Sequence, residues 1–204
     1  MSNKKINFFC VNGILTKPSD IGGWCDYFED YYQNEGYPCT KYEYFSGAIT
    51  RFIKQGKRVE EICTILERIS NPIVYVGHSN GCELFSKVVK KTKAKFVAAH
   101  LFAPAMESDF DENGLNYALL SGKVQQVYLY CSKKDQVLKN YASKTSFLKF
   151  IGLGYGTLGY TGHKNVLPQV QHRVSELWKK DYDHSTWFSE NNIKETHELT
   201  YRGL

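Results

Sequence analysis

Gly77-His78-Ser79-Asn80-Gly81 follows directly on the apolar run Ile73-Val74-Tyr75-Val76. That run reads as a buried strand, ended by Gly77. From about Asn80 to Lys91, Leu84, Phe85, Val88 and Val89 recur on one face at helical spacing. A strand that becomes a helix within so few residues must turn sharply. Such a turn forces Ser79 into a strained backbone conformation. Side chains two residues before and after it would crowd the turn, and glycine occupies both places. The strain lifts Ser79 Oγ above the sheet edge. The helix starting at Asn80 points its free N–H groups and positive dipole end at that oxygen. G-x-S-x-G alone is a common pattern. Its position between strand and helix makes it specific.

The rest of the chain alternates in the same way. Ile6 to Val11 reads as a short buried strand ending at Asn12-Gly13. Ser19 or Asp20 is placed to cap a helix through Trp24, Phe28 and Tyr31, broken at Gly36-Tyr37-Pro38. Thr40 to Phe45 is a second strand. Residues 48 to 69 form one helix or a broken pair, with Gly56 as the weak point. Phe96 to Phe102 and Val124 to Tyr130 are further strands. This order implies an α/β fold: a mostly parallel sheet of about five or six strands with helices on both faces. Two hundred and four residues, 42% hydrophobic and 15% aromatic, suit one domain spanning 1–204 and exclude a disordered or fibrous chain. Residues 151 to 162 hold five glycines (152, 154, 156, 159 and 162) and form a loop.

Charge and cysteines narrow the partners and the compartment. The net charge of +5 is too weak and too scattered to indicate nucleic acid. Lys87, Lys90, Lys91, Lys93 and Lys95, interleaved with apolar residues, read as the solvated face of a helix. The six cysteines, at 10, 25, 39, 63, 82 and 131, show no C-x-x-C pair and no zinc spacing. Free thiols in a reducing, cytoplasmic compartment are the expectation. The N-terminal apolar run is too short for a signal peptide. The longest later run, Phe96 to Met106, falls short of the ~20 residues of a membrane span, so no stable membrane insertion is expected.

A serine hydroxyl needs a base to take its proton, and the base needs a carboxylate to orient it. In this architecture the order is serine, acid, histidine, the last two on loops past later strands. Asp135, just past the strand ending at Tyr130, is the candidate acid. Its rivals are Glu107, Asp109 and Asp111, and its alternative role is a turn or helix cap. His184, in the polar stretch Asp183-His184-Ser185-Thr186-Trp187-Phe188, is the candidate base. His163 in the glycine-rich loop is the runner-up. His172 reads as part of a strand or helix, alternating with Val170 and Val174, His197 is near the tail, His100 reads as a core or sheet residue, and His78 cannot point the same way as Ser79. The oxyanion-hole donors are the N–H of Asn80 and, from the loop after the first strand, that of Ile14, with Leu15 next.

These residues resemble the α/β-hydrolase family. The resemblance runs through Val11-Asn12-Gly13-Ile14, the turn Gly77 to Gly81, the acid loop at Asp135 and a His-Ser-x-x-Phe-type segment at His184. It is similar in size to small lipase- and esterase-like members. The resemblance implies hydrolysis of an ester, thioester or amide through an acyl-enzyme, with no metal or cofactor. Asn12 stands where many relatives carry histidine. The long, glycine-rich segment between acid and base, Gln136 to Asp183, and residues 136–168 in particular, is either a lid over the substrate or an ordinary surface loop.

The expected substrate is a small-molecule or lipid carboxylic ester. Trp24, Phe102, Tyr155, Tyr160 and Trp187 either line an acyl pocket or belong to the core. The positive charge, with Lys133 and Lys134 beside the acid loop, favours an anionic ester such as a phospholipid or an acyl thioester. A thioesterase or peptidase with the same residues is the alternative within enzymes. A hydrolase fold used only for binding is the alternative outside them.

Overall fold

The structure, a computed structural model, describes residues 5–13, 23–44, 50–140 and 156–204. Its frame is a six-stranded sheet built from β1 (Asn7–Val11), β2 (Cys39–Tyr42), β3 (Ile73–His78), β4 (Phe96–Phe102), β5 (Val124–Cys131) and β6 (Val174–Trp178). Their order is β2-β1-β3-β4-β5-β6, and every neighbouring pair is parallel.

Apolar residues run unbroken from Phe8 to Val11 in β1 and from Ile73 to Val76 in β3 because both faces of the sheet are covered. Successive side chains of a strand point to opposite faces, and the two cores divide accordingly. Phe9, Val11, Ile73, Tyr75, Ala99, Leu101, Val127 and Leu129 pack on one side. The residues between them, Phe8, Cys10, Val74, Val76, Ala98, Phe102 and Tyr130, pack on the other. The first core is closed by α2 (Thr50–Leu66), α3 (Asn80–Lys91) and α5 (Leu115–Leu120). The second is closed by α1 (Trp24–Asn34) and the last helix, Ile193–Leu199. Tyr32 stacks on Phe8 and its hydroxyl meets Thr200, which ties both of these helices to β1.

Two expectations needed adjusting. Helix α2 runs unbroken through Gly56, whose missing side chain would meet nothing within 4 Å. The segment around His172 resolves into a 3₁₀ turn, Gln171–Arg173, followed by β6. The Arg173 guanidinium holds that junction by donating to the carbonyls of Leu119, Val124 and Gln125.

Glycines 156 and 159 are close-approach residues. A Cβ on Gly156 would lie 1.7 Å from the Met106 carbonyl carbon, and one on Gly159 2.7 Å from Pro104 N. The described part of the glycine-rich loop is therefore strapped across the segment leaving β4, with Leu158 N–H on Met106 O and Gly159 N–H on Pro104 O. Glycines 152 and 154 and residues 141–155 of the lid candidate lie outside the described residues. Among the described residues, no helix is long and apolar enough to cross a membrane.

The lysine face behaves as a solvated surface. Lys87 bonds Gln55 and pairs with Glu83, Lys90 donates to Glu112 O, and Lys91 pairs with Glu60.

Candidate active site

The chain passes from β1 out to the edge strand β2 and returns across β1 to β3. Loops leaving β1 and β3 therefore part in opposite directions, and a crevice opens at the C-terminal ends of those strands. Gly13 leaves β1 there and Ser79 leaves β3. Parallel strands put the ends of β5 and β6 on the same edge of the sheet.

Ser79 adopts φ 53° and ψ −117°, a region that non-glycine residues occupy only under constraint. Several contacts hold it there. Its N–H donates to Phe102 O at 3.0 Å, and its carbonyl accepts from Cys82 N and Ala105 N. The flanking glycines are required by space. A Cβ on Gly81 would sit 2.5 Å from Val11 O, and one on Gly77 2.9 Å from the Tyr75 ring. Gly13 is also tight, since its Cβ would lie 3.0 Å from Ser79 Cβ.

Asp135 and His184 meet Ser79 in one line. His184 Nε2 lies 2.8 Å from Ser79 Oγ, and His184 Nδ1 lies 2.7 Å from Asp135 Oδ2. A carboxylate only accepts, so Nδ1 carries the proton and Nε2 presents its lone pair to the serine hydroxyl. Asp135 is almost wholly buried, and its other oxygen accepts Leu138 N–H at 2.9 Å. It is thus a helix cap as well as a hydrogen-bond partner of His184. The loop bearing His184 is bound to the acid loop. Asp183 Oδ1 accepts Gln136 N–H and His184 N–H, and Ser132 Oγ donates to Tyr182 O.

Asn80 occupies the first position of α3, where a backbone N–H has no intrahelical partner. Its side chain is fixed at both ends, accepting from Tyr44 Oη at 2.7 Å and donating to Glu83 Oε2 at 2.7 Å. Ile14 and Leu15, the candidates for the second oxyanion donor, lie outside the described residues. Asn12, just before them, is buried and accepts Tyr44 N–H at 3.3 Å. It ties the end of β1 to the chain leaving β2.

The rival residues have other occupations. Asp109 caps α4 (Phe110–Asn113), Asp111 accepts from Asn116, and Glu107 accepts Ser108 N–H. His163 packs near Phe110 with Glu176 on its own N–H. His172 is exposed, and His197 is buried among Phe28, Tyr31 and Tyr32. His100 donates from Nδ1 to Tyr130 Oη, because that hydroxyl spends its one proton on Leu199 O.

Of the two roles open to the aromatics, the core holds for three. Trp24, Phe102 and Trp187 are buried in the second core, where they pack on one another and on Phe188 and Tyr130. Tyr160 is half-buried against Ala105 and Leu138, and Tyr155 lies outside the described residues. Lys133 and Lys134 are engaged: Lys133 lies over the Trp178 ring and donates to Tyr160 O, and Lys134 pairs with Asp181.

Tyr44, His78 and Asp183 were not singled out from the sequence. Tyr44 had one legible signal, its place at the end of a strand on the edge that bears the turn. Asp183 had its adjacency to His184. The His78 contact joins residues 106 apart in sequence and had none.

Solved structures share this fold at low identity. The ydeN gene product from B. subtilis is 9% identical, with a TM-score of 0.60 over 96% of this chain and 98% of that one. Alpha/beta hydrolase domain-containing protein 10 from mouse is 14% identical, with a TM-score of 0.58 over 95% of this chain and 87% of its own. The esterase domain from a Rhodothermus marinus protein is 12% identical, with a TM-score of 0.58 over 98% and 87%. No family model and no curated protein sequence matches. At these identities the likeness is one of fold, and the fold is that of the α/β hydrolases.

Proposed function

We propose that this α/β-hydrolase fold carries a serine hydrolase that cleaves a carboxylic ester through an acyl-enzyme. The observation that supports it most is the unbroken line Ser79 Oγ, His184 and Asp135, with contacts of 2.8 and 2.7 Å, at a serine held at positive φ.

In the proposed reaction His184 Nε2 takes the Ser79 proton as Oγ attacks the ester carbonyl. The N–H groups of Asn80 and Ile14 receive the developing oxyanion. Asp135 holds Nδ1–H and stabilises the imidazolium. His184 then gives its proton to the departing alcohol, which leaves the acyl group on Ser79. Water, deprotonated by the same histidine, repeats the attack and releases the acid. Every proton taken is returned, and the cycle calls on no metal or redox group.

The proposed substrate is a small-molecule or lipid ester. The six free cysteines, five of them buried, support a reducing, cytoplasmic setting. The test is fluorophosphonate labelling of wild type and Ser79→Ala, read by intact mass, followed by a panel of ester, thioester and amide substrates. One adduct on the wild type alone supports the reading. Ser79→Ala is expected to lower kcat on any cleaved ester by about 10⁶-fold. A variant that keeps near-full turnover refutes it. The panel sorts esterase from thioesterase and peptidase.

A further inference from the structure

Hydrogen bonds to the base loop are unequally distributed. On its acid side, four hydrogen bonds among the described residues join it to the loop leaving β5: Asp183 with Gln136, Tyr182 O with Ser132, Asp181 with Lys134 and His184 with Asp135. On the serine side, among the described residues, two hydrogen bonds join it to the turn after β3. One is the Ser79–His184 contact itself. The other runs from His78 Nε2 to the backbone carbonyl of His184 at 3.0 Å. A carbonyl only accepts, so Nε2 of His78 carries the proton and donates.

The His78 ring is 9% exposed and wedged edge-on against Phe188, with centroids 5.0 Å apart, and it lies 5.1 Å from the His184 ring. Its Nδ1 is buried and has no partner among the described residues. A Cβ on Gly13 would come within 3.4 Å of that atom. His78 therefore sits between the end of β1, the serine turn and the base loop. Its pKa is pushed down to about 3, first by burial and then by the neighbouring His184. At neutral pH the ring is an uncharged, single-proton donor and adds no positive charge beside a histidine that must become an imidazolium.

We propose that His78 is a positioning residue: by donating Nε2–H to the His184 carbonyl, it sets the distance between the base and Ser79. The role rests on the serine-hydrolase reading and deepens it. Ser79 and His78 are adjacent, so the residue that supplies the nucleophile's neighbour also fixes where the base stands. The Asp135–His184 contact has its own supports and does not depend on His78. Removing the His78 donor should loosen one contact of the line and spare the other.

The experiment compares wild type, His78→Leu and His78→Gln. Three readouts are taken: the rate of fluorophosphonate labelling at Ser79, the thermal midpoint, and the downfield NMR signal of the His184 Nδ1 proton shared with Asp135. His78→Leu is expected to label roughly tenfold to a hundredfold more slowly, as small misplacements of a catalytic group do. Its downfield proton is expected to persist. His78→Gln, which keeps a neutral N–H at similar reach, is expected to recover most of the lost rate. Labelling of His78→Leu at the wild-type rate overturns the proposal. So does a glutamine variant no faster than the leucine variant. Loss of the downfield proton together with the rate overturns it as well, because that is the signature of general disruption. If the wild type takes no adduct, the serine-hydrolase reading itself falls, and the positioning role falls with it.

Discussion

Residues around Ser79 are selected by space before chemistry. Positive φ at Ser79 brings the start of α3 against the end of β1, and only hydrogen fits at Gly81, 2.5 Å from Val11 O. The atom it would meet is backbone and has no rotamer to yield. Gly81→Ala is therefore expected to destabilise the protein by about 2–3 kcal/mol, a drop in thermal midpoint of roughly 5–10 °C for a chain of this length. Scanning calorimetry of the variant checks this, and an unchanged midpoint would show that the two segments can separate freely. The residues at 77, 79 and 81 were legible in the sequence because the constraint acts within five positions. His78 was not, because what it does is decided by a carbonyl 106 residues away.

Elements were readable in proportion to how fully they are buried. The strands β1, β3 and β4 are almost wholly buried and mostly apolar because parallel strands are covered on both faces, and their cores were identified without the structure. Strand β6 was ambiguous because it is the sheet's edge and only partly buried, so its Val174-Ser175-Glu176-Leu177-Trp178 sequence carries a weak signal. Helix α2 shows the reverse. Gly56 lowers local helix propensity, yet packing of Val59, Ile62 and Leu66 on the first core carries the helix through it. At Gly56 a side chain would meet open space. Gly56→Ala is accordingly expected to stabilise the fold by about 0.5–1 kcal/mol without changing Ser79 reactivity. Denaturant midpoints of the two proteins give the answer, and a loss of stability would mean the glycine serves a contact not seen here.

The whole molecule buries three histidines, and this makes its stability depend on acid. His78 and His100 are pushed down to about 3, and His197 to about 4, in each case first by burial. In the unfolded chain a histidine titrates near 6.5. Between these values the unfolded state holds more protons than the folded one, so acid favours unfolding. The stability these groups preserve is complete above about pH 6.5 and is lost as pH falls toward 3–4, at about 1.4 kcal/mol per pH unit for each histidine. Denaturant midpoints measured between pH 7 and 5 are expected to fall accordingly. His100→Phe, which keeps a ring against Tyr128, is expected to flatten the slope by one proton. A slope that stays as steep in the variant would show that His100 is not among the groups responsible.

Two aspects of this protein follow from local sequence alone: the strand–turn–helix at Ser79 and the alternation that builds a parallel sheet. Each rests on steric or periodic constraints among near neighbours, which any fold of these residues must respect. Assembly of the site is different in kind. Asp135 and His184 are 49 residues apart and Ser79 and His184 105 apart, and neighbours along the chain say nothing about such contacts. The same sequence evidence left both a pocket and a core open to Trp24, Phe102 and Trp187, because an aromatic side chain suits either. What decided these cases was the sheet order β2-β1-β3-β4-β5-β6, which brings the ends of β1, β3, β5 and β6 to one edge and turns those aromatics inward.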